Sequence, residues 1–241
     1  MTFNVLKIRR SKNRFHSVNE WLDSRHTFDF GKHESANWKN FGAIQVINED
    51  IIAPNAGFQM HPHKNMEIIT IVTEGCLTHR DSLNNTGEIF SNQIQLITAG
   101  NGILHSERNE KLEVCKLLQI WISTKIHNLT PCYQKKTFCY KEGLQEIINP
   151  KNEENTLLAN QDIYLWRYRY SHLDKFVFPN QIKRFNWLQV IEGGIEINNF
   201  ENIKVFLDKG DGIGFALDSL NEIFINTHKN SDILLFSMME I

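Results

Sequence analysis

The sequence predicts an all-β protein built from two similar β-barrel or sandwich units. Two observations predict it. The first is the spacing of short β-branched and aromatic runs: FGAIQVINEDII, MEIITIVTEG, QIQLITAG, LLQIWIS, NWLQVIEGGIEI and DILLFSM. Gly, Asn, Asp and Pro separate them, as turns separate short strands. The second is an internal repeat. Glu74-Gly75 and Glu192-Gly193 each end a strand-like run and lie 118 positions apart. Ser91, which opens SNQIQLI, and Lys209, which opens KGDGIGF, lie the same 118 positions apart.

The repeat places one copy in each half. Residues 126–134 contain Pro131 and few long apolar side chains, so the domains are expected at 1–128 and 129–241. In the second copy the turn Lys209-Gly210-Asp211 offers a glycine for a left-handed backbone. The matching turn, Ser91-Asn92-Gln93, offers the next best residue, Asn92. Helix signals are few. Residues 18–24 (VNEWLDS) and 141–148 (KEGLQEII) read as two short helices.

Composition excludes several classes. The chain has 241 residues, 41% hydrophobic and 22% charged, with a formal net charge of -2. That balance gives no reason to expect direct nucleic-acid binding or attraction to an anionic membrane. The basic stretch Arg9, Arg10, Lys12 and Arg14 is short and reads as a solvated face. No apolar run is long enough to span a bilayer. The opening MTFNVLKIRR lacks the apolar core of a secretory signal. Cys76, Cys115, Cys132 and Cys139 have irregular spacing and are expected as reduced, buried thiols. Together these point to a cytoplasmic protein, expected as a monomer.

The chemistry is concentrated in the first copy. In a strand, residues i and i+2 share a face, so His61 and His63 project together and Pro62 points away. His105 and Glu107 form a second such pair after Gly100 and Gly102. Two neighbouring strands would then offer three imidazoles and a carboxylate to one divalent first-row metal. The second copy is a control: the positions 118 further on are Pro179, Gln181, Ile223 and Ile225, none of them a usual ligand. Glu67 follows closely and reads either as a residue that orients a ligand by hydrogen bonding or as a structural carboxylate. His26, His79 and His127 are expected in core or surface roles. Phe28, Phe30, Phe41 and Phe58 are expected mainly in the core, with some lining an apolar mouth.

The strings HPHKNMEIITIVTEGCLTHRDSL (61–83) and AGNGILHSERN (99–109) resemble the first domain of the pirin family of bicupins. WLDSRHTFDFG, VINEDIIAPNAGF and LLQIWIS share the resemblance, which covers most of residues 8–140. NWLQVIEGGIEIN and KGDGIGFAL follow the family's outline more loosely. The resemblance implies two cupin-type jelly-roll barrels (double-stranded β-helices) arranged face to face. It implies one metal in the first barrel, typically iron, on His61, His63, His105 and Glu107, with Mn, Ni, Co, Cu or Zn also compatible with those ligands. It also implies quercetin 2,3-dioxygenase activity on a flavonol-like substrate and dioxygen. In such a reaction a carboxylate near the metal takes the substrate's proton, and Glu107 is the expected catalytic base with Glu67 in reserve. The alternative is a non-enzymatic, metal- or redox-dependent regulator that binds a protein partner. Ser91-Asn92-Gln93 replaces the family's usual Pro-Gly-Asp, and Lys64-Asn65 its usual Arg-Asp. Neither change removes a ligand.

Overall fold

The structure, a computed structural model, describes residues 5–35, 37–179, 183–198, 204–216 and 222–239. Among them it has twenty-one strands, one 3-10 turn at Ser11–Asn13 and no α-helix. The chain divides into two compact units. One holds Phe15–Cys139 with Ala159–Gln161; the other holds Met1–Arg14, Tyr140–Leu158 and Asp162–Ile241.

The first strand, β1 (Val5–Arg9), belongs to the C-terminal unit, where it pairs with a strand some 200 residues later. The N-terminal unit runs β2 (Phe15–Val18), β3 (Leu22–His26), β4 (Ile44–Ile52), β5 (Ala56–His63), β6 (Met66–Glu74), β7 (Cys76–Asp81), β8 (Thr86–Phe90), β9 (Gln93–Thr98), β10 (Ile103–Asn109), β11 (Cys115–Ser123) and β12 (Cys132–Thr137). These form a seven-stranded sheet, β12-β9-β6-β11-β4-β3-β2, and a four-stranded sheet, β5-β10-β7-β8. The C-terminal unit runs β13 (Gly143–Ile148), β14 (Ile163–Tyr170), β15 (Asp174–Val177), β16 (Phe185–Glu192), β17 (Gly194–Asn198), β18 (Lys204–Asp208), β19 (Gly212–Ala216), β20 (Phe224–Thr227) and β21 (Ser231–Met238). Its sheets are β1-β19-β16-β21-β14-β13 and β15-β20-β17-β18. The repeat is therefore structural: β5, β6, β7, β9 and β10 correspond to β15, β16, β17, β19 and β20.

Several expectations are corrected. The domain join at 128/129 moves to 139/140, because β12 pairs with β9 along its whole length and completes the first unit. Neither short helix forms. Asn19 Oδ1 accepts from the backbone N–H of Trp21 and Leu22 (2.9 and 2.8 Å), which makes a turn that leads into β3. Residues 143–148 form the edge strand β13, entered through Gly143 at φ +85°. Gly210 takes the left-handed backbone expected of it (φ +80°), whereas Asn92 does not. The basic stretch is not a solvated face: Arg9 and Arg14 are buried, and Arg10 donates to Asp211 at 2.7 Å. Cys76 and Cys115 are free, buried thiols, but Cys132 and Cys139 are exposed.

The core of the N-terminal unit lies between its two sheets. Ile52, Val72, Leu77, Ile89, Cys115 and Leu117 form one apolar layer. Ile68, Ile97, Ala99 and Ile103 form a second. Ile68 and Val72 flank Thr70 on one face of β6, so a polar layer lies between the two apolar ones.

Gly57 sets how closely β5 approaches β10. Its φ is +143°, and a Cβ there would meet the backbone oxygen of Glu107 at 2.5 Å and Arg108 Cα at 2.6 Å. Neither atom can yield without moving β10. Gly57→Ala should destabilise the protein by about 1–3 kcal/mol, read from denaturant unfolding, and should reduce metal retention by prising the two strands apart.

Candidate metal centre and its cavity

The pairing of β5 with β10 builds the site. His61 lies opposite His105, and His63 opposite Ile103. The register then slips, so that Glu107 faces Phe58: β5 spends one more residue than β10 over this stretch, which is a β-bulge. At the bulge His61 Nδ1 donates to the carbonyl of Gln59 at 2.7 Å. That bond fixes the tautomer and leaves Nε2 as the free lone pair. His61 and His63 are half-buried and Pro62 is exposed, the alternation their spacing predicts.

His61, His63 and His105 present ligand atoms within 4.8 Å of one another. Ring centroids are 4.4 Å apart for His61 and His105, and 5.0 Å for His63 and His105. His105 is buried, yet neither of its ring nitrogens has a hydrogen-bond partner among the described residues. Leaving both unsatisfied would be costly, and a metal ion resolves the deficit. Burial pushes His105 down to about 4, with the Glu107 carboxylate opposing. His63 also falls to about 4, through burial and then the neighbouring His105 and His61. Both rings are thus neutral, the form that ligates.

Glu107 stands in a second group, with His105 and His79, again within 4.8 Å. Its Oε1 accepts from Thr70 Oγ1 (2.9 Å) and Gln95 Nε2 (2.8 Å), and its Oε2 from Gln119 Nε2 (2.7 Å). A carboxylate offers about four lone-pair positions, so one remains for a cation. His79 faces Glu107 across β7 and β10, is buried, and is bonded through Nε2 to Asp81 at 3.1 Å. Tyr133 stacks on it at 4.7 Å. The donor set therefore fits a divalent metal, with His79 an additional imidazole beside it.

Among its described residues the C-terminal unit has no such cluster. In the N-terminal unit Thr70 pairs with Gln95 and Gln119 across β6; its counterpart Leu188 pairs with Ile213 and Leu235 across β16. Ile225 takes the place of Glu107, and Ile197 that of His79. All five are buried in one apolar cluster, together with Ile223. Of the control positions, Gln181 lies outside the described residues.

A cavity of about 560 Å³ opens onto the three histidines. Phe30, Phe58, Trp121 and Leu22 supply its apolar wall. Trp121 meets His63 edge-on at 4.8 Å and Phe30 at 5.4 Å. Phe28 and Phe41 are core residues. A polar wall adjoins the aromatics, with Ser17, Ser24, His26, His33, Asn48 and Asp50; His26 stacks on Phe30 at 5.2 Å. Sequence reasoning missed this wall, although Ser24/His26 and Asn48/Asp50 are two further i, i+2 pairs. His127 is exposed.

Glu67 is placed elsewhere, which corrects its reading as an orienting or reserve catalytic residue. It pairs with Ile122, one position out of step with Thr70–Gln119 and Ile68–Trp121, so it projects from the other face of the sheet. There it accepts from Thr98 Oγ1 at 2.8 Å, and burial pushes its carboxyl up to about 7.

Two jelly-roll units with one histidine cluster define a bicupin. Residues 7–122 match the Pirin family model, and residues 146–238 match the quercetinase C-terminal cupin domain. The chain is 34% identical to the quercetin 2,3-dioxygenase of Escherichia coli K12 over 235 residues, covering 97% of this chain and 99% of that one. Over 118 residues, about half of each chain, it is 43% identical to a pirin-like protein of Caulobacter vibrioides. Its fold superposes on the bacterial pirin YhhW of E. coli in complex with nickel(II) with a TM-score of 0.90 at 34% identity, over 98% of this chain and 100% of that one. The chain belongs to the pirin family. No helix among the described residues is long and apolar enough to cross a membrane.

The displaced Glu67 has a measurable signature. Its folded carboxyl takes up a proton near pH 7, whereas an unfolded one does so only near its ordinary 4.5. Between those values the folded state binds more protons, so stability falls as pH rises through that window. Glu67→Gln should remove the loss. The variant should be more stable than the parent at pH 8, by about 3 kcal/mol at most, and little changed at pH 4. Its metal content should be unaltered.

Proposed function

We propose that this protein is a pirin-type, metal-dependent dioxygenase that opens the ring of a flavonol of the quercetin type. One observation carries the reading: three convergent imidazoles, one of them buried with both nitrogens unpartnered, form the floor of an aromatic-walled cavity. Its volume suits a small, flat aromatic molecule. The names and nickel complex of the E. coli relatives support the same reading.

His61, His63, His105 and Glu107 would hold the metal, with iron(II) as the first candidate. Once bound, a divalent metal supplies Lewis-acid stabilisation of negative charge on an enolic oxygen. The chain's own residues do the rest. Phe30, Phe58 and Trp121 cover the substrate's faces and exclude water. Thr70, Gln95 and Gln119 donate to Glu107 and fix the orientation of its carboxylate. The Gln59 carbonyl holds His61 in the tautomer that ligates.

Three outcomes are expected. Anaerobic reconstitution with Fe(II), Mn(II), Ni(II) or Cu(II), followed by air and quercetin, should give loss of the flavonol's visible absorbance with matching oxygen uptake. His105→Ala should lose metal and turnover together. Gln119→Leu, which installs the aliphatic residue of the second unit, should weaken metal binding by about 10–100-fold, measured by competition with a chelator. Tight metal binding without flavonol turnover would move the assignment to a protein-binding regulator.

A further inference from the structure

The site as described lacks a group to take the substrate's proton. Among the described residues that line the cavity, two are carboxylates: Glu107 and Asp50. Glu107 is engaged by three donors, and the one position they leave is the one a metal would take. Glu67 is on the wrong face of the sheet. Asp50 is buried on β4, opposite Ser24 on β3. The Ser24 hydroxyl donates to its Oδ1, which leaves the other oxygen available to a ligand.

A hydrogen-bonded chain leads away from Asp50. Ser24 Oγ lies 3.5 Å from His26 Nδ1. The same nitrogen donates to Asn48 Oδ1 at 2.9 Å, which holds the ring in place. His26 Nε2 lies 3.0 Å from Ser17 Oγ, and Ser17 Oγ lies 3.1 Å from His33 Nε2. His26 is buried, while His33 is half-buried at the mouth. Register explains the order: Ser17, Ser24 and Asp50 lie in one cross-strand row, and His26 and Asn48 in the next.

We propose that Asp50 is the general base of the reaction and that the Ser24 hydroxyl holds its carboxylate in position to take the substrate's proton. The inference rests on the dioxygenase reading. The O–H bond of the substrate's enolic hydroxyl breaks, its electron pair stays on that oxygen, and an O–H bond forms on Asp50. The proton stays on Asp50 while the ring opens and leaves to water when the product departs, which restores the carboxylate. No oxidant or reductant takes part.

The electrostatics suit this role. Burial pushes Asp50 up to about 7, the Ser24 hydrogen bond opposes, and the charges of Glu107, Glu49 and Asp23 add to the rise. A base that is part-ionised near neutrality both accepts and releases a proton readily. His26, His61, His63 and His105 line the same cavity.

Quercetin absorbs at longer wavelength when ionised, so its protonation state is read directly from the bound ligand. The test adds quercetin anaerobically to the parent and to Asp50→Asn, each with and without Ni(II), across a pH series. Asp50→Asn should retain its metal and bind quercetin, but the bound ligand should ionise at least one pH unit higher than in the parent. In air its kcat should fall by about 10²-fold. Ser24→Ala, which removes the hydrogen bond that holds Asp50 down, should lower kcat with KM unchanged and move the kcat–pH profile to higher pH; it also serves if Asp50→Asn fails to fold. Ionisation and kcat equal to the parent's in Asp50→Asn, or kcat and pH profile equal to the parent's in Ser24→Ala should it stand in, would overturn the inference while leaving the dioxygenase reading intact. A parent protein that binds no flavonol would overturn both.

Discussion

The antiparallel pairing of β5 with β10 is the constraint on which the site depends. It sets His61 against His105, and the bulge in β5 turns the His61 ring so that one nitrogen is tied to the backbone and the other is free. Glycine at position 57 permits the close approach. Without that register the three imidazoles would lie on different faces, because a one-residue slip reverses every side chain. The carboxylate of Glu107 depends on the same pairing from the opposite side, where β6, β9 and β11 each supply one donor to it.

Those donors form a polar layer between two apolar ones, and comparison of the two units shows what it does for the fold. Where the N-terminal unit places Thr70, Gln95, Gln119, Glu107 and His79, the C-terminal unit places Leu188, Ile213, Leu235, Ile225 and Ile197. The same strand arrangement closes around either set. The polar set is therefore dispensable for folding: burying it costs desolvation that aliphatic residues avoid. Its retention in one unit alone is explained by the metal, which gives those buried groups their partners.

The sequence made the strands and the ligand face legible because period-2 alternation is a local signal. His61 and His63 straddle an exposed Pro62 as their spacing requires. Other features depend on what the chain does between strands. Asn65 adopts φ +50° in the turn after His63, so counting faces from His63 across to Glu67 fails. VNEWLDS has helical composition, but the Asn19 side chain caps a turn instead, and LDSRH then pairs with β4. The polar wall was readable in principle, since Ser24/His26 and Asn48/Asp50 alternate just as the ligand pairs do. What the sequence could not supply was the cross-strand register that sets Ser24 beside Asp50 and His26 beside Asn48.

The place of β1 has a consequence for how the chain is made. Val5–Arg9 pairs with Gly212–Ala216, while all of Phe15–Cys139 closes on itself without it. On the ribosome the N-terminal unit can complete its sheets once β12 has emerged, long before the C-terminal unit exists. Throughout that interval β1 has no partner, and its edge is open to mispairing. This early segment is thus among the last to find its place. Lys7 and Arg9 give it two cationic side chains, the kind of charge that discourages a free edge from pairing with copies of itself.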